Sequence, residues 1–448
     1  MNKNQPLSLP ADAFEIATPF EGDQLGRDAL ATQLGGYIDR LKAGAVLGID
    51  APWGEGKTWF GRNWAERLKA DHKVAFIDAY ENDFVDDPFL LIASDLSSLL
   101  DDAQGQGRTL RKKAAGVLKA IVPMGTKAVI NLAGRLLVGT SDLSDEISEA
   151  AKEATGKAAD EAGKWIEKRI EEISAERASL IGFRLELADA ASKCERPIVV
   201  FIDELDRCRP SFAVTLIERI KHLFDVPNLV FILLLNRRQM EVAIEGQYGP
   251  GTDGQAYLGK FVSLWFELPK ATPGAGHSDN RVIAYTDRVL SRYGFDSKAN
   301  WNVESVRQDF VFWATAFNLS LRDIDRMCAL FVLANRNNTA LLAYLIATKV
   351  KHPRRFAGIR RNDSATHLEC SKTLLALAGN KEEVSSDDWP DTMLVSLAQM
   401  HQIQRGDIES KDATMFNRWR TETCGNFRDV GRAFVVTANA IDLPIESY

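Results

Sequence analysis

Lys57 and Thr58 close a glycine-rich stretch, Pro52-Trp-Gly-Glu-Gly-Lys-Thr58, and Asp203 and Glu204 close an apolar run far downstream. Both arrangements suit polyphosphate chemistry. Gly54 and Gly56 let successive backbone N–H groups converge on an anion, and the N-terminus of a following helix adds its partial positive charge. Lys57 can then reach β- and γ-phosphates, while the Thr58 hydroxyl can hold Mg²⁺. The pattern is one residue short of the common form, because Ala51 stands where its first glycine is required. Trp53, Glu55 and Trp59 complete the set of residues expected around a bound nucleotide.

Downstream, Pro197-Ile-Val-Val-Phe-Ile-Asp-Glu-Leu-Asp-Arg207 reads as a buried strand running into a carboxylate pair. The C-terminal edge of an open α/β sheet is where ligands bind. There Asp203 is placed to hold Mg²⁺ through its water shell, and Glu204 to polarise the water that attacks a γ-phosphate. A further apolar run, residues 229–235, ends at Asn236. Its amide can orient that water, sense the γ-phosphate, or simply close a turn. Arg322 and Arg326, one helical turn apart, can contact phosphate or instead pair with Asp323 and Asp325.

These groups need a scaffold, and the hydrophobic pattern supplies one. Residues 21–42 read as an amphipathic helix, with Leu25, Ala29, Leu30, Leu34, Tyr37, Ile38 and Leu41 on or near one face. Residues 45–49 form the strand before the loop. Trp59, Phe60, Trp64 and Leu68 mark the helix after it, and residues 73–81 hold another strand. Asp86-Asp87-Pro88 offers an N-cap and a first-turn proline for a helix reaching residue 100. Residues 257–269 read as a helical turn and a fifth strand. The expected fold is α/β, a phosphate-loop parallel sheet flanked by helices, with a helical insertion and a mainly helical C-terminal domain. The expected parts are a core at 20–100 and 197–270, the insertion at 101–196, a Gly/Pro-rich linker at 271–280, and the C-terminal domain at 281–448.

The insertion is unusual in charge. Residues 103–141 carry Arg108, Arg111, Lys112, Lys113, Lys119, Lys127 and Arg135 with no acidic residue, and the chain then turns acidic through residue 176. A basic amphipathic stretch suits a membrane surface or nucleic acid. It equally suits a helical hairpin packed on the core or on another subunit. Across all 448 residues the net charge of −7 makes no global case for nucleic acid. Five widely spaced cysteines with no Cys-x-x-Cys pair argue against a disulfide framework or a zinc site, and point to the cytoplasm. No signal-peptide core or membrane-length apolar run is expected.

In order along the chain, the helix before the first strand, Trp53-Gly-Glu-Gly-Lys-Thr58, Phe76-Ile-Asp-Ala-Tyr-Glu81, Phe201-Ile-Asp-Glu-Leu-Asp-Arg-Cys208, Leu235-Asn-Arg237, Tyr257-Leu-Gly-Lys-Phe261 and Leu321-Arg-Asp-Ile-Asp-Arg326 resemble the KAP family of P-loop NTPases. That family is a branch of the STAND and AAA+-related group, and the resemblance covers roughly residues 20–355. It implies ATP as the nucleotide, Lys57 and Thr58 in the phosphate loop, Asp203 and Glu204 in the second motif, and Arg322 or Arg326 at a C-terminal sensor position. Members often carry aspartate where Glu204 and Asn236 stand, and many have membrane helices where the basic insertion lies. Bacterial relatives include phage-exclusion proteins, so the resemblance suggests anti-phage defence. The expected function is an Mg²⁺-dependent ATPase switch coupled to a homo-oligomer or a protein partner. The alternative is a nucleotide-gated scaffold with little turnover, attached to the inner membrane face through residues 103–141.

Overall fold

The computed structural model describes residues 16–85, 87–101, 106–121, 177–270, 280–293, 301–334, 339–381, 384, 388–425, 427 and 429–442. The later part of the basic run, the acidic segment after it and nearly all of the expected linker lie outside the described residues. The rest falls into two compact units: residues 31–51 with 61–267, and residues up to 30 with 52–60 and 268 onward.

The first unit is built on a five-stranded, wholly parallel sheet. Its strands are β1 (Ala45–Asp50), β2 (Val74–Asp78), β3 (Ile198–Asp203), β4 (Leu229–Leu235) and β5 (Leu264–Glu267), in the spatial order β2-β3-β4-β1-β5. Strands β3 and β4 are buried along their whole length, as near-continuous Val/Ile/Leu/Phe runs require when both faces of a sheet are covered. Register brings the polar ends together: Asp78 lies opposite Asp203, and Asp50 lies opposite both Leu235 and Glu267. Carboxylates therefore line one edge, the one at the strands' C-termini. Trp64 meets Phe201 edge-on at 5.3 Å, and Phe76 stacks on Phe201 at 5.8 Å, fixing helix to sheet with more than area alone.

Local chemistry sets the helix boundaries. The side chain of Asp87 accepts from Phe89 N at 2.9 Å and Pro88 takes the first turn, the expected cap for the helix Pro88–Leu99. The expected helix over 21–42 is shorter, Arg27–Ile38. Gly22 and Gly26 adopt positive φ, and Asp23 accepts from the backbone N–H groups of Leu25 and Asp28, so residues 20–26 form turns instead. The buried stripe also differs: Arg27, Ala31, Leu34 and Ile38 are buried, whereas Ala29 and Tyr37 are exposed.

Both ends of the insertion join this unit's core. The helix Gln106–Ile121 buries Leu110 and Ala114 while exposing Arg108, Arg111, Lys112 and Lys113. A helix over 177–192 buries Phe183, Leu187, Ala190 and Ala191, with Phe183 edge-on to Phe89 at 5.2 Å. No helix among the described residues is long and apolar enough to cross a membrane.

Helices make up the second unit beyond residue 280, packed around Ala340–Lys351. That helix buries Leu341 through Thr348 without a break, so its apolar character belongs to a bundle centre. Beside it His367 Nδ1 and His401 Nδ1 lie 2.7 Å apart, and His401 Nε2 is 3.2 Å from the Tyr344 hydroxyl. Burial pushes His367 down to about 4, with Arg405 acting the same way and Asp363 opposing, and holds His401 well below the usual histidine range. Between the ordinary value of 6.5 and 4, the unfolded chain binds protons that the folded chain does not. Stability is therefore lost as pH falls through that window. His367 alone is expected to remove about 2 kcal/mol between pH 7.5 and pH 5. Urea melts at the two pH values check this, and His367→Gln should flatten that part of the slope.

Candidate phosphate-binding site

The loop after β1 is shaped by two glycines and four hydrogen bonds. Gly54 has φ +85° and Gly56 φ +75°, conformations that side-chain-bearing residues rarely adopt. A Cβ on Gly54 would also lie 2.6 Å from Ser320 Oγ and 3.0 Å from Arg322 Cβ. The carbonyl of Gly54 accepts from Arg322 N at 3.1 Å. Those of Glu55 and Gly56 accept from the guanidinium of Arg27, Nη2 at 2.6 Å and Nη1 at 3.2 Å. Gly56 O also accepts from Phe60 N at 3.0 Å, which opens the helix Lys57–Leu68.

In a trans peptide the C=O and N–H of one unit point in opposite directions. With the carbonyls of Gly54, Glu55 and Gly56 held by Arg322 and Arg27, the N–H groups of Glu55, Gly56 and Lys57 face away from those donors. Successive loop amides ahead of a helix N-terminus are the kind of backbone that can bind an anion. Lys57 is the first residue of that helix, largely buried, and its Nζ donates to Pro52 O at 3.2 Å. Thr58 follows it within the first turn. Trp59 lies edge-on to Phe20 at 5.7 Å, and Trp53 is 45% exposed. The Glu55 side chain is buried, which raises its carboxyl above the usual range; Lys270 and Arg27 oppose that shift, Asp323 reinforces it, and Lys57 opposes it.

The two expected sensor arginines differ in placement. Arg322 is exposed and touches the loop through its backbone N–H. Arg326 is exposed and reaches Asp323 at 3.5 Å, the surface pairing that is the alternative to a phosphate contact.

In the sheet unit, Asp203 is fully buried at the end of β3, and its Oδ1 accepts from Glu204 N at 2.9 Å. Glu204 follows at φ 58°, a left-handed backbone unusual for a non-glycine residue and often found at functional sites. Its Oε2 lies 2.5 Å from Arg207 Nε. Asn236 caps the helix Arg237–Tyr248, its Oδ1 accepting from Gln239 N at 3.3 Å. That bond orients the amide: the oxygen is committed to the helix, leaving the Nδ2 donors for an acceptor such as a phosphate oxygen. Asp50, at the end of β1, accepts from Arg237 N at 2.9 Å, so this N–H of the same helix end is satisfied as well.

Sequence reasoning missed Arg27 and Asp50. Arg27 carried a signal, since it occupies a position on the buried stripe of its helix, where a charge needs a purpose.

Comparison with known proteins adds the family. Residues 27–338 match the model described as the KAP family P-loop domain. Over 98 residues the chain is 26% identical to the phage T7 exclusion protein of Escherichia coli (strain K12), covering 22% of this chain and 13% of that protein's length. Among solved structures it is similar to the Aeropyrum pernix ORC2 protein in its ADPNP-ADP complexes, at 10% identity over 94% of this chain and 95% of that one, with a TM-score of 0.34. A Drosophila ORC structure bound to DNA is similar at 12% identity over 95% and 97% of the two chains, with a TM-score of 0.29. Scores this low carry no argument about fold or function. The family match spans most of the chain, including the loop, the carboxylate strand and the arginine-bearing helix. The chain belongs to the KAP family of P-loop NTPases.

Proposed function

We propose that the protein binds ATP with Mg²⁺ at the loop ending in Lys57 and Thr58, hydrolyses it, and uses the nucleotide state as a switch for assembly or partner binding. The observation that carries this is the loop itself: the carbonyls of Gly54, Glu55 and Gly56 are each held by a donor, those of Glu55 and Gly56 by one guanidinium, which turns the N–H of each of these peptide units away from its carbonyl's donor. In this reading Gly54, Glu55 and Gly56 cradle the phosphates, and Lys57 neutralises their charge. Trp53 and Trp59 flank the nucleotide. Arg322 and Arg326 report its state.

Each of the two expected metal donors has, by itself, chemistry that suits Mg²⁺. Thr58 offers a hydroxyl and Asp203 a buried carboxylate at a strand end, the hard oxygen ligands that Mg²⁺ takes alongside its waters. Bound there, Mg²⁺ would supply charge stabilisation for the transferring phosphoryl group. Glu204 orients and polarises the attacking water, and Asn236 donates through Nδ2 to a phosphate oxygen. The working parts are the core at 20–100 and 197–270, the insertion at 101–196 and the helical domain at 281–448, acting in the cytoplasm. The short match to a phage exclusion protein motivates a role in anti-phage defence.

One observation favours a second reading. Glu204 is paired with Arg207, and a carboxylate oxygen engaged by a guanidinium is not available to hold a water. On that reading ATP orders an oligomer or scaffold with little turnover, and the exposed cations of the helix Gln106–Ile121 hold it against an anionic membrane face. Phosphate release and solution mass, followed together with and without Mg·ATP, separate the two. Steady release accompanied by a mass change is the expected result. A mass change without release favours the scaffold, and neither response would sink both.

A further inference from the structure

We infer that Arg27 is a positioning residue for the phosphate loop, holding its amides in the orientation a polyphosphate needs. The inference rests on the reading of that loop as the nucleotide site. Arg27 is 1% exposed, yet among the described residues it forms no ion pair; its guanidinium donates to the carbonyls of Glu55 and Gly56. Burying a guanidinium costs several kcal/mol unless its donors are used. Here burial lowers it to about 10, with Glu55 and Asp23 opposing that shift, so it stays charged at neutral pH.

Two consequences follow from where the charge is spent. The planar fork spans two adjacent carbonyls, which fixes the rotation of two consecutive peptide planes, a task a lysine's single point charge does poorly. A cation on the carbonyl oxygen also polarises the peptide, so that the N–H groups of Gly56 and Lys57 become stronger donors toward an anion on the far side. Arg27 thus acts on phosphate through the backbone without touching it. Loop shape is imposed from behind by a side chain 28 and 29 residues earlier in the chain.

The test is binding of fluorescent ATP, fluorescent ADP and adenosine to the full chain, for wild type, Arg27→Met, Arg27→Lys and Lys57→Ala, with melting midpoints measured on each. The expected result is that Arg27→Met weakens ATP and ADP by roughly 10- to 100-fold, two lost charge-assisted bonds. Adenosine binding should stay near wild type, and Arg27→Lys should fall between. A purely structural role would weaken all three ligands alike, and that outcome overturns the inference. So does wild-type ATP affinity in Arg27→Met when Lys57→Ala loses binding. If Arg27→Met does not fold, Arg27→Lys decides: weaker ATP binding at an unchanged melting midpoint supports the inference, and wild-type affinity overturns it. Wild-type binding by Lys57→Ala would instead overturn the nucleotide-site reading, and the role of Arg27 with it.

Discussion

Replacing Glu204 by Gln is expected to lower Mg·ATP hydrolysis by about 10²- to 10⁴-fold, the range for losing a positioned general base, while ATP affinity stays within about threefold. Glutamine keeps the shape and one acceptor oxygen but cannot take a proton. The residue is well placed for such a role: it directly follows the buried Asp203 and is held in a left-handed backbone conformation at the carboxylate-lined edge of the sheet. A left-handed glutamate costs about 1–3 kcal/mol, a strain that commonly persists where function requires it. Phosphate release under single-turnover conditions measures the loss. Equal rates in the two proteins would remove Glu204 from the mechanism and leave the Arg207 pair as its structural purpose.

Replacing Lys57 by Ala is expected to act earlier, on binding. The ammonium sits at the first turn of the helix Lys57–Leu68, largely buried, within reach of the loop's own carbonyl at Pro52. A hydrogen bond to a charged group contributes about 1.5–3 kcal/mol, so its loss should weaken ATP by roughly 10- to 100-fold. In this reading the melting midpoint should fall far less than the ATP affinity, because the ammonium's main task is to meet phosphate. Titration calorimetry with ATP and a thermal melt on the same sample give the two numbers. Weakened binding together with a collapsed melt would point instead to a structural lysine.

Much of this was legible in the residues, for identifiable reasons. Five apolar runs each ended in a polar residue, and a parallel sheet aligns such ends on one edge, so Asp50, Asp78, Asp203 and Glu267 fall together. The Asp87-Pro88 cap is local chemistry and needed nothing beyond three residues. Strand order was not legible. Periodicity marks which segments are strands, but β4 enters between β1 and β3 by tertiary packing alone. The apolar pattern overruns the first helix at its start, because Gly22, Gly26 and Asp23 favour turns through backbone geometry that such a pattern ignores. The same pattern hid Arg27, since a search for apolar faces passes over a cation buried among them. Asn236 shows the limit from the other side: its position is legible, but which of its two polar ends is committed to the helix it caps is not.

The central claim is that ATP phosphates are gripped by the amides of Glu55, Gly56 and Lys57. Amide hydrogen exchange across residues 53–58, followed with and without Mg·ATP, tests it most directly. Exchange in this segment is expected to slow markedly on adding ATP in wild type and to change far less in Lys57→Ala. ATP binding that leaves exchange at residues 53–58 untouched would contradict the account.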